Sequence, residues 1–299
     1  MIKVNRATQP LVYISMLLIL ILTPLSLFLN NYHLANQKGN YLVYDYAKNI
    51  LDTMPPKSIL ITTGDTLIGG LSYLLAVEGQ KPDLILVKEM IGYPWYIEHL
   101  AKQYPKLKLP FFSGTKSVYN MSDLVAANLK DYSIFIGNSF DRSLAQNYNL
   151  IPWGLLKMVR PKDQSLKLNS YKQLQNQIWQ RYRIDYERLT KLNNFDFEKT
   201  LAYSYTSTYN QTGNFWLKYN DYAEAIKYWE KAISLSPQYP APYKMLGWAY
   251  IKSAKNYAMI LKGLHYWKIY LDFNPDDPEV PQIKKDLERI KRDLEGRRK

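Results

Sequence analysis

The chain contains no cysteine. Disulfides, thiolate nucleophiles and cysteine-built zinc sites are therefore excluded. Histidine is scarce as well, at three in 299 residues, which argues against a metal centre and leaves no Ser-His-Asp grouping to assemble. Neither a GxGxxG fingerprint nor a GxxxxGK[ST] phosphate loop is present. No cofactor and no metal are expected. A cysteine-free chain can work outside the cytoplasm without an oxidative folding pathway.

Tyrosine is abundant, at 27 residues. Its ring can be buried while its hydroxyl keeps a polar partner, which suits helix seams and interaction surfaces. Lys plus Arg is 39 and Asp plus Glu is 26, giving a formal charge of +13. The excess is spread along the chain. In the densest run, 284–299, Asp286, Glu288, Asp293 and Glu295 alternate with the basic residues, as on a solvated helix. Nucleic acid is not an expected partner.

Residues 11–29 form a run without charge, LVYISMLLILILTPLSLFL. At about 1.5 Å per residue it spans about 28 Å, close to a bilayer's hydrocarbon core. Tyr13 and Tyr32 stand near its ends, where aromatic belts form. An uncleaved membrane anchor fits best. A signal peptide would carry a shorter apolar core and a small-x-small cleavage site, whereas the exit here reads SLFLNNYHLAN. A buried core helix is the remaining reading. Lys3 and Arg6 precede the run, so residues 1–10 are expected in the cytoplasm and the remainder outside it.

Between 40 and 162 short apolar runs alternate with amphipathic stretches. Strands are expected at 58–63, 84–87 and 133–136, with a fourth at 155–159. Helices are expected at 44–54, 67–77, 95–104 and 122–129. Continuous apolar strands between helices imply an α/β domain with a mostly parallel sheet and helices on both faces. In such sheets ligands gather beyond the carboxyl ends of strands. Gly64, Asp65 and Thr66 follow the first strand; Gly137, Asn138 and Asp141 follow the third. Asp65, Thr66 and Asn138 are the candidate ligand-binding residues. Asp65 or Thr66 could equally cap the next helix. Gly69-Gly70 sits within a helical pattern and is too weak to be a phosphate cradle, and His99 sits on a helix face.

Residues 166–299 read as all-helical, with a long helix at 171–192. A 34-residue tetratricopeptide (TPR) unit needs small residues where its two helices cross, large rings beside them, and proline to end the second helix. Over 206–239, Gly213, Ala225 and Ala232 take the small positions. Trp216 and Trp229 take the ring positions, Tyr222 the turn, and Pro237 the end. A second, looser unit covers 240–277, with Gly247, Gly263, Trp267 and Pro275 in register after about four inserted residues. Residues 278–298 form a charged closing helix, as a solenoid end requires. Such pairs build a groove for a peptide or partner helix. Asn210, Asn214 and Lys218 are the candidate partner-binding residues. With two repeats the groove is short, so packing against the α/β domain is an alternative.

One stretch also resembles a family. Tyr44, Asp45 and Tyr46 open a YDYAKNIL helix, and Gly64-Asp65 ends a strand. Tyr73, Glu78 and Gly79 mark a YLLAVEG helix. Pro82-Asp83 precedes a strand and Trp95-Tyr96 opens a helix, while Gly154, Leu155 and Pro161 close the segment. This pattern resembles the C-terminal extracytoplasmic region of the multi-spanning, protein-O-mannosyltransferase-like (GT-C-type) membrane proteins, which often end in TPR repeats. The family's NGDNDTFP stretch is TGDTLIGG here, and its many preceding membrane helices are absent from this chain. The resemblance implies that the acidic catalytic residues lie in those helices, so no catalytic residue carries over. Two readings follow. One is a membrane-anchored extracytoplasmic TPR protein that binds or assembles partners, associated with glycosyl transfer. The other is enzymatic: a subunit of a split or truncated glycosyltransferase, or a hydrolytic α/β domain using Asp65. Asn120-Met-Ser122 and Asn210-Gln-Thr212 are N-glycosylation sequons.

Overall fold

The structure is a computed structural model describing residues 9–110, 121–137, 143–190 and 196–296. It divides into a unit ending at Tyr41 and a compact unit from Leu42 onward. The first holds one long helix, α1 (Gln9–Ala35), with Pro24 inside it. Its Pro10–Tyr32 stretch is long and apolar enough to cross a membrane, and none of the most apolar window is buried. The core helix of a soluble protein would be mostly buried, which this window is not.

The second unit begins with α2 (Leu42–Thr53), β1 (Ser58–Thr62), α3 (Asp65–Ala76), β2 (Ile85–Lys88), α4 (Pro94–Gln103) and α5 (Met121–Asn128). It continues with β3 (Ser133–Ile136), α6 (Ser143–Asn147), β4 (Asn149–Trp153) and β5 (Leu156–Arg160). The sheet order is β2-β1-β3-β5-β4. β1 runs parallel to both β2 and β3; β5 is antiparallel to β3 and to β4. Alternation along the strands builds two cores. Leu60, Leu86 and Phe135 pack with α2 and α3 on one face. Ile59, Ile61, Ile85, Val87, Ile134 and Ile136 pack with α4 and α5 on the other. Being buried on both faces is why these strands read as unbroken apolar runs.

β4 and the antiparallel hairpin it forms with β5 were not expected. β4 is an edge strand, and an edge is where its Pro152 can be accommodated. The other edge, β2, is covered. The Lys88 amide donates to the Tyr96 hydroxyl at 2.6 Å, and the Leu86 backbone is hydrogen-bonded to Tyr104. Two phenols thus occupy backbone positions that an intruding strand would use.

The helical part comprises α7 (Leu168–Arg181), α8 (Tyr186–Thr190), α9 (Asp196–Lys218), α10 (Tyr222–Leu235), α11 (Ala241–Lys252), α12 (Tyr257–Phe273) and α13 (Val280–Gly296). The single helix expected at 171–192 is broken between α7 and α8. Asn49 of α2 causes the break. Its Oδ1 accepts the Arg183 amide at 3.0 Å, and its Nδ2 donates to the Arg183 carbonyl at 2.8 Å. The Asn49 side chain, 5% exposed, thereby replaces the helical ladder at that residue.

The same joint grips the β4–β5 turn. Gly154 supplies a φ of +58° there. Its amide donates to Gln175 Oε1, and the Leu155 amide donates to the Tyr182 hydroxyl. Tyr171 and Gln175 both donate to the Pro152 carbonyl. One core then runs from Leu60 and Phe135 through Trp179 and Tyr209 to Trp229 and Tyr250. The α/β and helical parts therefore share a core.

Candidate functional site: the TPR helices and a cleft at the strand ends

Two features of the compact unit can carry function. The first is the helix pair α9–α10. A Cβ on Gly213 would stand 2.5 Å from Trp229 Nε1, so only glycine permits this crossing. Trp229, Ala225 and Ala232 are fully buried around it. Asp221 caps α10 by accepting the Glu224 amide at 3.1 Å. The pair α11–α12 repeats the device, with Gly247 against the Trp267 ring and Gly263 against the Gly247 carbonyl. Trp267 Nε1 also donates to the Lys244 carbonyl at 3.1 Å.

The candidate partner-binding residues on α9 fall in different surroundings. Asn210 is buried and bonded to the Tyr239 hydroxyl. That burial closes the Asn210 sequon to glycosylation of the folded protein. Asn214 is half-buried. The Oδ1 atoms of both asparagines are buried without a hydrogen-bond partner among the described residues. Lys218 is exposed and lines a separate pocket with β4. The three do not form one surface. On α11 the equivalents of Asn214 and Lys218 are Trp248 and Lys252. Trp248 is half-buried, and the Lys252 ammonium lies 5.8 Å from its ring centre.

The second feature is a cleft of about 480 Å³. Thr63, Gly64 and Gly137 line it at the carboxyl ends of β1 and β3. The chain leaves β1 through α3 on one face and reaches β3 through α4 and α5 on the other. This is the switch point at which open α/β sheets hold ligands. The opposite wall is α9, with Thr200, Ser204, Ser207, Thr208 and Gln211. Lys157, opposite Ile136 in the β3–β5 register, also lines the cleft. Burial pushes the Lys157 ammonium pKa down.

Asp65 is the exposed first residue of α3, and Thr66 beside it is half-buried. The cleft takes Gly64 but neither of these side chains. The capping alternative fails too. Gly64 occupies the cap position, at φ +95°, and no side-chain cap bond forms. Asn138 and Asp141 lie outside the described residues. Gly70 packs on Ala47 of α2, and His99 is exposed on α4. The hydroxyl wall of α9 was not anticipated. Its signal is the spacing 200, 204, 207, 208, 211, which places five polar side chains on one helical face.

The residues that carry the family pattern hold the fold together. The Tyr44 hydroxyl donates to Glu78 at 3.2 Å, tying α2 to the end of α3. Tyr46 meets the Tyr205 ring edge-on. Gly79 supplies a φ of +63° past α3. Asp83 accepts the Lys57 amide at 2.7 Å. Tyr96 covers the β2 edge.

Comparison with known proteins agrees with this geometry. Residues 207–239 match the tetratricopeptide repeat family. Protein O-mannosyl-transferase tmem260 of Dictyostelium discoideum is 32% identical over 149 residues, which is 48% of this chain and 18% of that protein. Protein O-mannosyl-transferase TMEM260 of Mus musculus is 29% identical over 144 residues, 44% of this chain and 20% of that protein. The chain shares a region with protein O-mannosyl-transferase-like membrane proteins. It spans about a fifth of the length of these relatives.

Proposed function

We propose that this TPR protein is a membrane-anchored binding module that works beside a glycosyl-transferring membrane protein. α1 is the anchor, and the compact unit lies outside the cytoplasm. The observation that carries the reading is the TPR helix pair locked by Gly213 against Trp229, in a chain that over about half its length is similar to O-mannosyl-transferases. TPR pairs stack through one face and offer another to a partner chain. On α9 part of that other face is turned toward the strand ends. The surface left for a partner is therefore on α11, where half-buried Met245 and Trp248 stand beside exposed Lys252.

The similarity to O-mannosyl-transferases supports a second reading, in which the chain supplies the extramembranous part of a split transferase. Both readings place a transferase partner at the membrane. The test is extraction of native membranes with carbonate, followed by mild detergent and capture of the full chain. Retention in the carbonate pellet, and co-capture of a multi-spanning transferase that Trp248→Ala weakens, is the expected result. Release by carbonate, or capture unaffected by Trp248→Ala, overturns the proposal.

A further inference from the structure

The cleft at the strand ends has no part in partner binding through α11, yet it has the makings of a ligand site. Its volume falls within the range of small-molecule pockets. Its floor is backbone. A Cβ on Gly137 would stand 2.6 Å from Thr62 Oγ1, and Gly64 sits at φ +95°. Gly64 lets a ligand approach the main chain closely, while the missing Cβ of Gly137 makes room for the Thr62 side chain beneath it.

The α9 wall offers hydrogen-bonding groups of both senses. Ser204, hydrogen-bonded to the Tyr46 hydroxyl as well, donates its proton back to the Thr200 carbonyl at 2.8 Å, which leaves one lone pair as an acceptor. Thr212 does the same to the Thr208 carbonyl at 2.8 Å. Ser207 Oγ instead accepts from Gln211 Nε2 at 2.9 Å, which leaves its own proton free to donate.

Among the described lining residues the charge is one-sided. Lys157 is the one ionised side chain among the described lining residues, and it has no ion pair or hydrogen-bond partner among the described residues. A half-buried cation without a partner is unfavourable by itself and becomes favourable when an anion seats beside it.

We propose that this cleft binds a small oxyanion on a hydroxylated skeleton, with the oxyanion beside Lys157 and the hydroxyls along Ser204, Ser207 and Gln211. A phosphate monoester and a carboxylate share this chemistry. The mixed donors and acceptors of α9 match hydroxyl groups, which both give and accept protons. The cation matches the oxyanion.

Calorimetric titration of the full chain in detergent separates the cases. Glucose 1-phosphate is the phosphate probe, gluconate the carboxylate probe and glucose the uncharged control. Saturable binding of one or both anions is expected at concentrations up to about 10 mM, at least about tenfold tighter than glucose. Whichever anion binds more tightly names the oxyanion. Lys157→Met is expected to weaken the anion at least tenfold. Gln211→Ala, an exposed change on the opposite wall, is expected to weaken it several-fold. Lys218→Met, in the separate pocket, is expected to leave it unchanged. The proposal is overturned if neither anion saturates, or if glucose binds as tightly as the anions. It is equally overturned if both Lys157→Met and Gln211→Ala bind like the unaltered chain while remaining folded by circular dichroism.

Discussion

Gly213→Ala sets two effects of known size against each other. Alanine favours a helix interior over glycine by about 1 kcal/mol, so propensity alone would stabilise the variant. The added Cβ, however, would stand 2.5 Å from Trp229 Nε1 and 2.7 Å from Cδ1. Trp229 is 0% exposed, with Ala225 and Ala232 equally buried around it, so the ring has no free direction in which to move. Overpacking of a filled core costs about 1–3 kcal/mol, and a contact this close with a rigid ring belongs at or beyond the upper end. The net expectation is a loss of about 2 kcal/mol, or roughly 4–8 °C in Tm for a chain of this size. Gly69 of α3 is the internal control. It is exposed and a Cβ there meets nothing within 4 Å, so Gly69→Ala should gain up to about 1 kcal/mol from propensity alone. Thermal unfolding of both variants in one detergent, followed by circular dichroism at 222 nm, measures the contrast. A Gly213→Ala protein as stable as the unaltered chain would refute the tight crossing of α9 and α10.

Asn49→Ala leaves the Arg183 amide and carbonyl without their partners, and should cost about 1–3 kcal/mol in urea unfolding. Tyr96→Phe uncovers the Lys88 amide at the β2 edge; a loss of about 1 kcal/mol, with more association in light scattering, is expected. High pH should unfold the protein. Burial raises the Tyr46 phenol to about 12, and raises Tyr182, Tyr205, Tyr209 and Tyr228 further. A raised folded pKa gives stability that is complete below the unfolded value near 10 and is lost as pH climbs through the folded value. Tyr46 alone accounts for about 3 kcal/mol on that scale. Absorbance at 295 nm should therefore show these phenols ionising together with loss of helix, and smooth independent titration of all tyrosines would contradict their burial.

How much of this was legible in the sequence depends on how local each cause is. The strands β1, β2 and β3 showed themselves because both of their faces are buried, so no polar residue interrupts them. The first TPR pair was equally visible, since Gly213, Trp216, Ala225, Trp229 and Ala232 meet within one repeat. β4 was hidden by Asn149 and Pro152, which an edge strand tolerates and a central strand does not. The break before α8 was hidden for another reason. Helical periodicity runs straight through Tyr182 and Arg183, and the residue that ends the helix, Asn49, is 134 positions earlier. The cleft was half legible. Its strand-end half follows from topology, so the glycines at 64 and 137 could be placed in advance. Its α9 half depends on how the helical part docks on the sheet, which the sequence pattern does not encode. The same docking explains why Asn210, Asn214 and Lys218 part company.

The account stands or falls on whether the α11 surface meets a transferase at a membrane. A photo-crosslinking amino acid at position 245, in the full chain expressed in its native membranes, tests this directly. Light-dependent adducts to a multi-spanning glycosyl-transferring protein, weakened when Trp248 is also changed to Ala, are predicted. Irradiation that yields no adduct, or adducts to water-soluble proteins alone, would contradict it.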